Sequence, residues 1–125
     1  MIYKTRHFNR WAHKSSLPDD LLCRAVAEMM NGLIDADLGG GVFKKRIALP
    51  GRGKSGSART LLATNRDDRW IFMFGFEKNE RANISDKERD ALRMAAKDLL
   101  GLTVQQLQES VDNGALLEVQ DGQKK

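Results

Sequence analysis

The segment RWIFMFGFE (69–77) decides the fold, because it is apolar almost without interruption from Trp70 to Phe74. A strand that is buried on both faces has this pattern, whereas a strand with one solvated face alternates apolar and polar residues. We therefore predict a central strand that is covered on both faces, either by helices on both sides or by one helix layer and a partner.

Two further strands precede this segment along the chain. VFKKRIAL (42–49) and SARTLLAT (57–64) contain β-branched and apolar residues, and the connections PGRGKSG and NRDD contain residues that tolerate tight turns. Short connections join antiparallel neighbours. The three strands are predicted to form one antiparallel sheet.

Helical patterns lie on both sides of this sheet in the sequence. Apolar residues recur at three- and four-residue intervals in DDLLCRAVAEMM and again between Leu92 and Leu100. DADLGGG (35–41) between the first helices and the sheet predicts a turn or a close backbone approach. We expect helices over 8–14, from a cap at Ser16 to about Leu33, from Ser85 to Leu100 and from Thr103 to about 113, with short strands in MIYKTR (1–6) and ALLEV (115–119).

The length and composition suit a single α+β domain over residues 1–125, with a frayed tail at 119–125. No apolar run approaches the roughly 20 residues that span a bilayer, and MIYKTRHFNRW lacks the apolar core of a secretory signal. The expected location is cytoplasmic. Cys23 is expected to be a buried, inert thiol, and neither His7 nor His13 has a second ligand at metal-binding spacing, so no metal is expected.

Positive charge is concentrated in the first two thirds of the chain. Residues 1–81 hold 15 Lys and Arg against 9 Asp and Glu, and residues 82–125 hold 6 against 8. Uncompensated cations near glycines favour contact with phosphate groups, although a solvated surface has the same composition. Seven cations fall between Asp37 and Asp67 without one carboxylate: Lys44, Lys45, Arg46, Arg52, Lys54, Arg59 and Arg66.

Side-chain alternation assigns these cations to faces of the predicted sheet. Lys44 and Arg46 share one face of their strand, and Lys45 points to the other. Neighbouring strands lie about 4.8 Å apart, so that Arg46 or Lys45 can approach Arg59. FEKNERANIS, after the central strand, adds Phe76, Lys78, Asn79 and Arg81 near the same end of the sheet. An alternative is that these cations only form surface ion pairs, Arg59 with Asp67, Asp68 or Glu77, Lys78 with Glu80 and Arg81 with Asp86.

The tripeptide Gly53–Lys54–Ser55 also suggests a nucleotide-binding loop. A loop of that type requires a glycine at position 48, which is Ala48, and it opens directly into a helix. The residues that follow Lys54 form a strand pattern instead. We therefore interpret PGRGKSG as a basic hairpin tip.

Together, these motifs resemble the RelE/ParE superfamily of toxin–antitoxin toxins, specifically its RelE-like branch. The resemblance extends over about residues 1–112 and rests on GLIDADLGGG, on the basic hairpin KKRIALPGRGKSGSART and on GFEKNERANIS. It implies a small antiparallel sheet with the two N-terminal helices on one face, a concave basic surface on the other, and C-terminal helices. It also implies a cognate antitoxin as partner.

For RelE-like members, the resemblance implies ribosome-dependent mRNA cleavage without metal or cofactor, in which the ribose 2′-hydroxyl attacks the adjacent phosphate. Lys45, Arg59, Lys78 and Arg81 are then candidate catalytic residues: Lys45 or Lys78 as base, Arg59 and Arg81 as a phosphate clamp. The candidate RNA-binding residues are Lys44, Arg46, Arg52 and Lys54.

Two departures from the family pattern leave the general acid and base open. Several ribonuclease members place a catalytic Tyr, His or acid near the C-terminal end of the sheet, whereas Tyr3 is the only tyrosine here and ALLEV offers only Glu118. The alternatives are a non-enzymatic inhibitor of DNA gyrase, as in ParE-like members, and a non-toxic, phage-derived nucleic-acid-binding module.

Overall fold

The structure is a computed structural model that describes residues 1–51 and 56–120. These residues form a mixed α+β fold with four helices and one six-stranded sheet, which confirms the predicted fold class. The elements are β1 (Ile2–Thr5), α1 (Arg6–Lys14), α2 (Asp19–Met30), β2 (Ala36–Gly39), β3 (Val42–Ala48), β4 (Ser57–Thr64), β5 (Trp70–Glu77), α3 (Asp86–Leu100), α4 (Val104–Asp112) and β6 (Leu116–Glu118).

The strands lie in the order β2-β3-β4-β5-β1-β6. β3, β4 and β5 are consecutive antiparallel neighbours, as their short connections predict, and β5 is internal. The pairing of β1 with β5 is parallel, so that the sheet is antiparallel at every pair except this one. Two helices and three strands separate β1 from β5, and such a long connection can return the chain in either direction.

Both faces of β5 are covered, as its apolar sequence predicts. The first face, which we define as the side covered by α1 and α2, contains one hydrophobic core that includes Phe8, Leu22, Leu62 and Phe72. The second face, on the opposite side, packs against α3 and α4. The resemblance implies a concave basic surface on this second face. Only the part of the face that α3 and α4 leave uncovered is available for it.

Polar caps fix the ends of most helices. Thr5 caps α1, and capping boxes begin α3 at Ser85 and α4 at Thr103, as their sequences predict. The predicted cap at Ser16 is wrong, because Ser16 has a left-handed φ of 56° and α2 begins after Pro18 without a side-chain cap. α2 also ends at Met30, three residues before the predicted end.

The glycines of DADLGGG make both a turn and a close approach. Gly39, Gly40 and Gly41 have φ values of 84°, 64° and 84°, a region in which a side chain would be strained. A Cβ atom on Gly41 would lie 2.5 Å from the side chain of Leu100 in α3. Residues Ala36–Gly39 pair with β3 as β2, a strand that the glycine-rich sequence does not predict.

Arg69 connects the start of β5 to the junction of α3 and α4. Its guanidinium donates to both carboxylate oxygens of Asp68 and to the carbonyl oxygens of Leu99 and Leu102. The residue is only 5% exposed. Among the described residues, no helix is long and apolar enough to cross a membrane.

Candidate functional site

Three cations lie together on the second face of β3 and β4. Arg46 and Arg59 are direct cross-strand partners, and Lys44 lies two residues before Arg46 on the same face. Cβ atoms of directly opposite residues are about 4.5–5.5 Å apart. Lys44 and Arg59 are half-buried and Arg46 is exposed. We call Lys44, Arg46 and Arg59 the cation row.

Neutral groups hold the cation row in place. Arg59 Nη1 donates to Ser57 Oγ at 2.7 Å, and Lys44 Nζ donates to Asn83 Oδ1 at 3.3 Å. Within residues 1–51 and 56–120, no carboxylate forms an ion pair with any of the three side chains. Like charges directly opposite each other destabilise a sheet, and a bound anion would remove that repulsion.

Lys45 does not join the cation row. Its side chain lies on the first face, where it is only 8% exposed and its Nζ is 2.9 Å from Glu28 Oε1 of α2. The same Nζ donates to the Leu33 carbonyl oxygen at 3.0 Å. Since alternation separates Lys45 from Arg59 by the full thickness of the sheet, Lys45 cannot contact a substrate that is bound to the cation row.

Arg81 lies beside the cation row but is already paired. Its Nη1 and Nη2 donate to both carboxylate oxygens of Glu88, the first at 3.0 Å. This pairing lowers the pKa of Glu88 to about 2 and raises the pKa of Arg81. The guanidinium also lies 5.5 Å from the ring centre of Phe76, the cross-strand partner of Arg59. Arg81 thus pairs with Glu88 rather than with Asp86, the carboxylate considered in the sequence.

The chain was compared with known families and with curated proteins. A family model described as "RelE toxin of RelE / RelB toxin-antitoxin system" matches residues 1–119. The chain belongs to the RelE toxin family. No curated protein matches it. Membership of the RelE family makes the chain a toxin of a toxin–antitoxin system and implies an antitoxin as its partner.

In this RelE-family chain, the other candidate residues fall into two groups. Lys78 is exposed and follows β5, and its backbone N–H donates to the carbonyl oxygen of Ser57, the residue whose hydroxyl holds Arg59. The backbone of Lys78 therefore lies next to the cation row. Arg52 and Lys54 lie outside the described residues. The strands on either side of them are confirmed, with β4 beginning at Ser57.

Sequence reasoning about the RelE-family site missed His7. This residue is in the first turn of α1, and its ring stacks on Phe74 of β5 with a centroid separation of 5.5 Å and an interplanar angle of 5°. Phe74 pairs with Leu61 and therefore lies on the second face, beside the cation row. The sequence places His7 two residues after β1. It does not reveal that β1 pairs with β5, which is what brings His7 to Phe74.

Proposed function

We propose that this RelE-family toxin is a ribosome-dependent endonuclease that cleaves mRNA. The observation that carries the proposal is the cation row, in which Arg46 and Arg59 lie directly opposite each other and neither side chain forms an ion pair with a carboxylate among the described residues. Structural cations are usually paired when they are partly buried, whereas cations that bind a phosphate must keep their donors available.

The proposed reaction requires stabilisation of negative charge on one phosphate. The ribose 2′-oxygen loses its proton to a base and attacks the adjacent phosphorus, the bond from phosphorus to the 5′-oxygen breaks, and the departing 5′-oxygen takes up one proton. The products are a 2′,3′-cyclic phosphate and a 5′-hydroxyl, so that no water or metal enters the balance. Fixed cations that are already oriented toward the phosphate would lower the barrier to this step.

Arg59 is the residue that we assign to the scissile phosphate. Ser57 occupies one donor of its guanidinium, and a guanidinium has five N–H donors in a planar fork that fits phosphate oxygens. Arg46 and Lys44 would bind the flanking phosphates. Arg81 would contribute a second guanidinium only if phosphate displaces Glu88 from it.

Lys78 remains the candidate acceptor of the 2′-hydroxyl proton, because Lys45 lies on the opposite face. The backbone N–H of Lys78 donates to the carbonyl oxygen of Ser57, which lies two residues before Arg59, and Lys78 is the first residue after the central strand. The cation row is on an open part of the sheet, since Arg46 is exposed. An open surface cannot by itself fix the ribose in line with the phosphate, and we assign that constraint to the ribosome that holds the mRNA.

Primer extension on an mRNA that is being translated in a purified system tests this function. We expect wild-type protein to produce new ends at codon-defined positions, and Arg59→Ala to lower the cleavage rate by about 10²–10³-fold, the effect of removing one donor to a developing oxyanion. Lys97→Ala is the matched control, because it removes an exposed cation of α3 outside the cation row. Intact mRNA together with gyrase-dependent DNA breaks would overturn the proposal.

A further inference from the structure

A row of three rings and one guanidinium runs beside the cation row on the second face. His7 stacks on Phe74, the Phe74 and Phe76 rings are 6.4 Å apart, and Arg81 lies over Phe76. We call these four residues the aromatic row. RNA cleavage as described above uses only the cations, so the three rings of the aromatic row have no assigned role.

The two rows are adjacent because Phe74 and Phe76 are on β5, the strand next to β4, which carries Arg59. Phe76 is the cross-strand partner of Arg59, and Phe74 is the partner of Leu61, two residues further along β4. Neighbouring strands are about 4.8 Å apart. A ligand that contacts the cation row with one edge can therefore reach the aromatic row with its other edge.

Within the aromatic row, His7 is the member that is open to solvent. Phe76 is only 3% exposed and Phe74 is half-buried, whereas His7 is exposed. One face of the imidazole ring is covered by Phe74 in a nearly parallel arrangement. Since His7 is exposed, part of its ring is open to another planar group.

We propose that His7, supported by Phe74, is a stacking platform for an unpaired RNA base whose flanking phosphates lie on the cation row. The identity of the ligand rests on the proposed function, but the platform itself rests on ring geometry. Single-stranded RNA presents charged phosphates along one edge and planar bases along the other, and proteins bind it by pairing cations with the first and aromatic rings with the second.

Substitutions of His7 distinguish a residue that stacks on a base from one that transfers a proton. His7→Phe keeps a planar ring that can lie on Phe74 but removes both ring nitrogens, whereas His7→Ala removes the ring as well. His13→Ala is the matched control, since His13 is also an exposed histidine of α1 but has no ring contact among the described residues. Thermal unfolding followed by circular dichroism confirms that each variant is folded.

The experiment measures binding of a short, fluorescein-labelled, single-stranded oligoribonucleotide by anisotropy. Its riboses carry 2′-O-methyl groups, so that the wild-type protein cannot cleave it. We expect His7→Ala to weaken binding by about 10-fold, within the range for loss of one base–aromatic stack, and His7→Phe to stay within about 3-fold of wild type. His13→Ala should bind as wild type does.

Two results would overturn the platform. Wild-type affinity of His7→Ala would show that no base stacks there, and equal weakening of His7→Phe and His7→Ala would assign the effect to a ring nitrogen. The primer-extension assay separates this proposal from the previous one. Wild-type protein that binds the oligonucleotide through His7 but leaves translated mRNA intact would remove the proposed cleavage and keep the platform.

Discussion

Two arginines of the sheet, Arg59 in β4 and Arg69 before β5, have opposite surroundings. The guanidinium of Arg69 is buried and bonded to a carboxylate and to two backbone carbonyl oxygens at the end of α3. The guanidinium of Arg59 is half-buried, faces Arg46 across the strands and, among the described residues, donates to one hydroxyl. The comparison shows that a cation bonded to a carboxylate and to backbone carbonyl oxygens holds the fold together, whereas a cation that has neither partner among the described residues is suited to bind a ligand.

The largest expected effect is a difference in stability between variants of the two arginines. Each arginine is replaced with methionine, which keeps much of the side-chain volume. Arg69→Met should lower the free energy of unfolding by about 2–3 kcal/mol, because the carbonyl oxygens of Leu99 and Leu102 each lose one donor and Asp68 loses its ion-pair partner. Arg59→Met should change it by no more than about 0.5 kcal/mol, because the substitution also removes a repulsion with Arg46. Urea denaturation of the two variants measures the difference.

The loss of mRNA cleavage should rank the same two variants in the reverse order. Arg59→Met should lose cleavage of translated mRNA, and Arg69→Met should retain it at a temperature at which the variant is folded. A protein in which Arg59→Met is the less stable of the two would contradict the distinction between a structural and a ligand-binding arginine.

The next expected effect concerns the backbone of β5 between Phe74 and Phe76. A Cβ atom on Gly75 would lie 2.4 Å from the indole ring of Trp11, which packs on the first face. Gly75→Ala should therefore lower the free energy of unfolding by about 1–3 kcal/mol through overpacking. Thermal or urea unfolding measures it.

A double variant identifies the cause of this loss. Trp11→Leu removes the ring that the new methyl group meets, so that Gly75→Ala should cost less in its presence than in the wild type. Equal losses in the two backgrounds would assign the effect to backbone flexibility rather than to contact with Trp11. Either outcome tests how firmly α1, which also carries His7, is held against β5.

The smallest expected effect concerns Arg81, which is paired as Arg69 is but lies nearer the surface. The pKa of Glu88 is lowered to about 2 from an ordinary value near 4.5, mainly by its hydrogen bonds from Arg81. A carboxylate with a lowered pKa in the folded state stabilises the protein above its ordinary pKa, and this contribution is lost as the pH falls from about 4.5 through about 2.

Glu88→Gln checks the sign of this dependence. Glutamine can still accept the hydrogen bond from the Ser85 backbone N–H in the capping box, but it has no charge for Arg81. The stability difference between wild type and Glu88→Gln should be present at pH 6 and should shrink as the pH approaches 2, as measured by urea denaturation at each pH. A difference that does not depend on pH would show that the ion pair contributes nothing.

Local patterns in the sequence were sufficient to predict most of the elements. β4 was predicted at the residues where it lies, and β3 and β5 differ from their predicted bounds by one residue, because alternation and turn residues are local properties. The capping boxes at Ser85 and Thr103 act within four residues, and both were confirmed. β2 could not be predicted, because its four residues include Asp37 and Gly39, which are uncommon in strands, and depend on the edge of β3 for their pairing.

The candidate site was predictable only as far as strand alternation reaches. Alternation placed Lys44 and Arg46 on one face of β3 and Lys45 on the other, as the structure has them. The contacts of His7 with Phe74 and of Arg81 with Glu88 bring together residues that are distant in sequence or on different elements, and no local pattern indicates them. The catalytic roles of Arg59, Lys78 and Arg81 stay predictions.

The parallel pairing of β1 with β5 has a consequence for the order in which the protein folds. Ile2 pairs with Trp70, and Tyr3 on the other edge of β1 pairs with Glu118. During synthesis, β1 therefore cannot pair until β5 and β6, which leave the ribosome much later, are available. The β3–β4–β5 meander can form earlier, because its strands are neighbours in sequence. His7 meets Phe74 only when β1 docks, so that the second face is complete only after β5 has left the ribosome and β1 has paired with it.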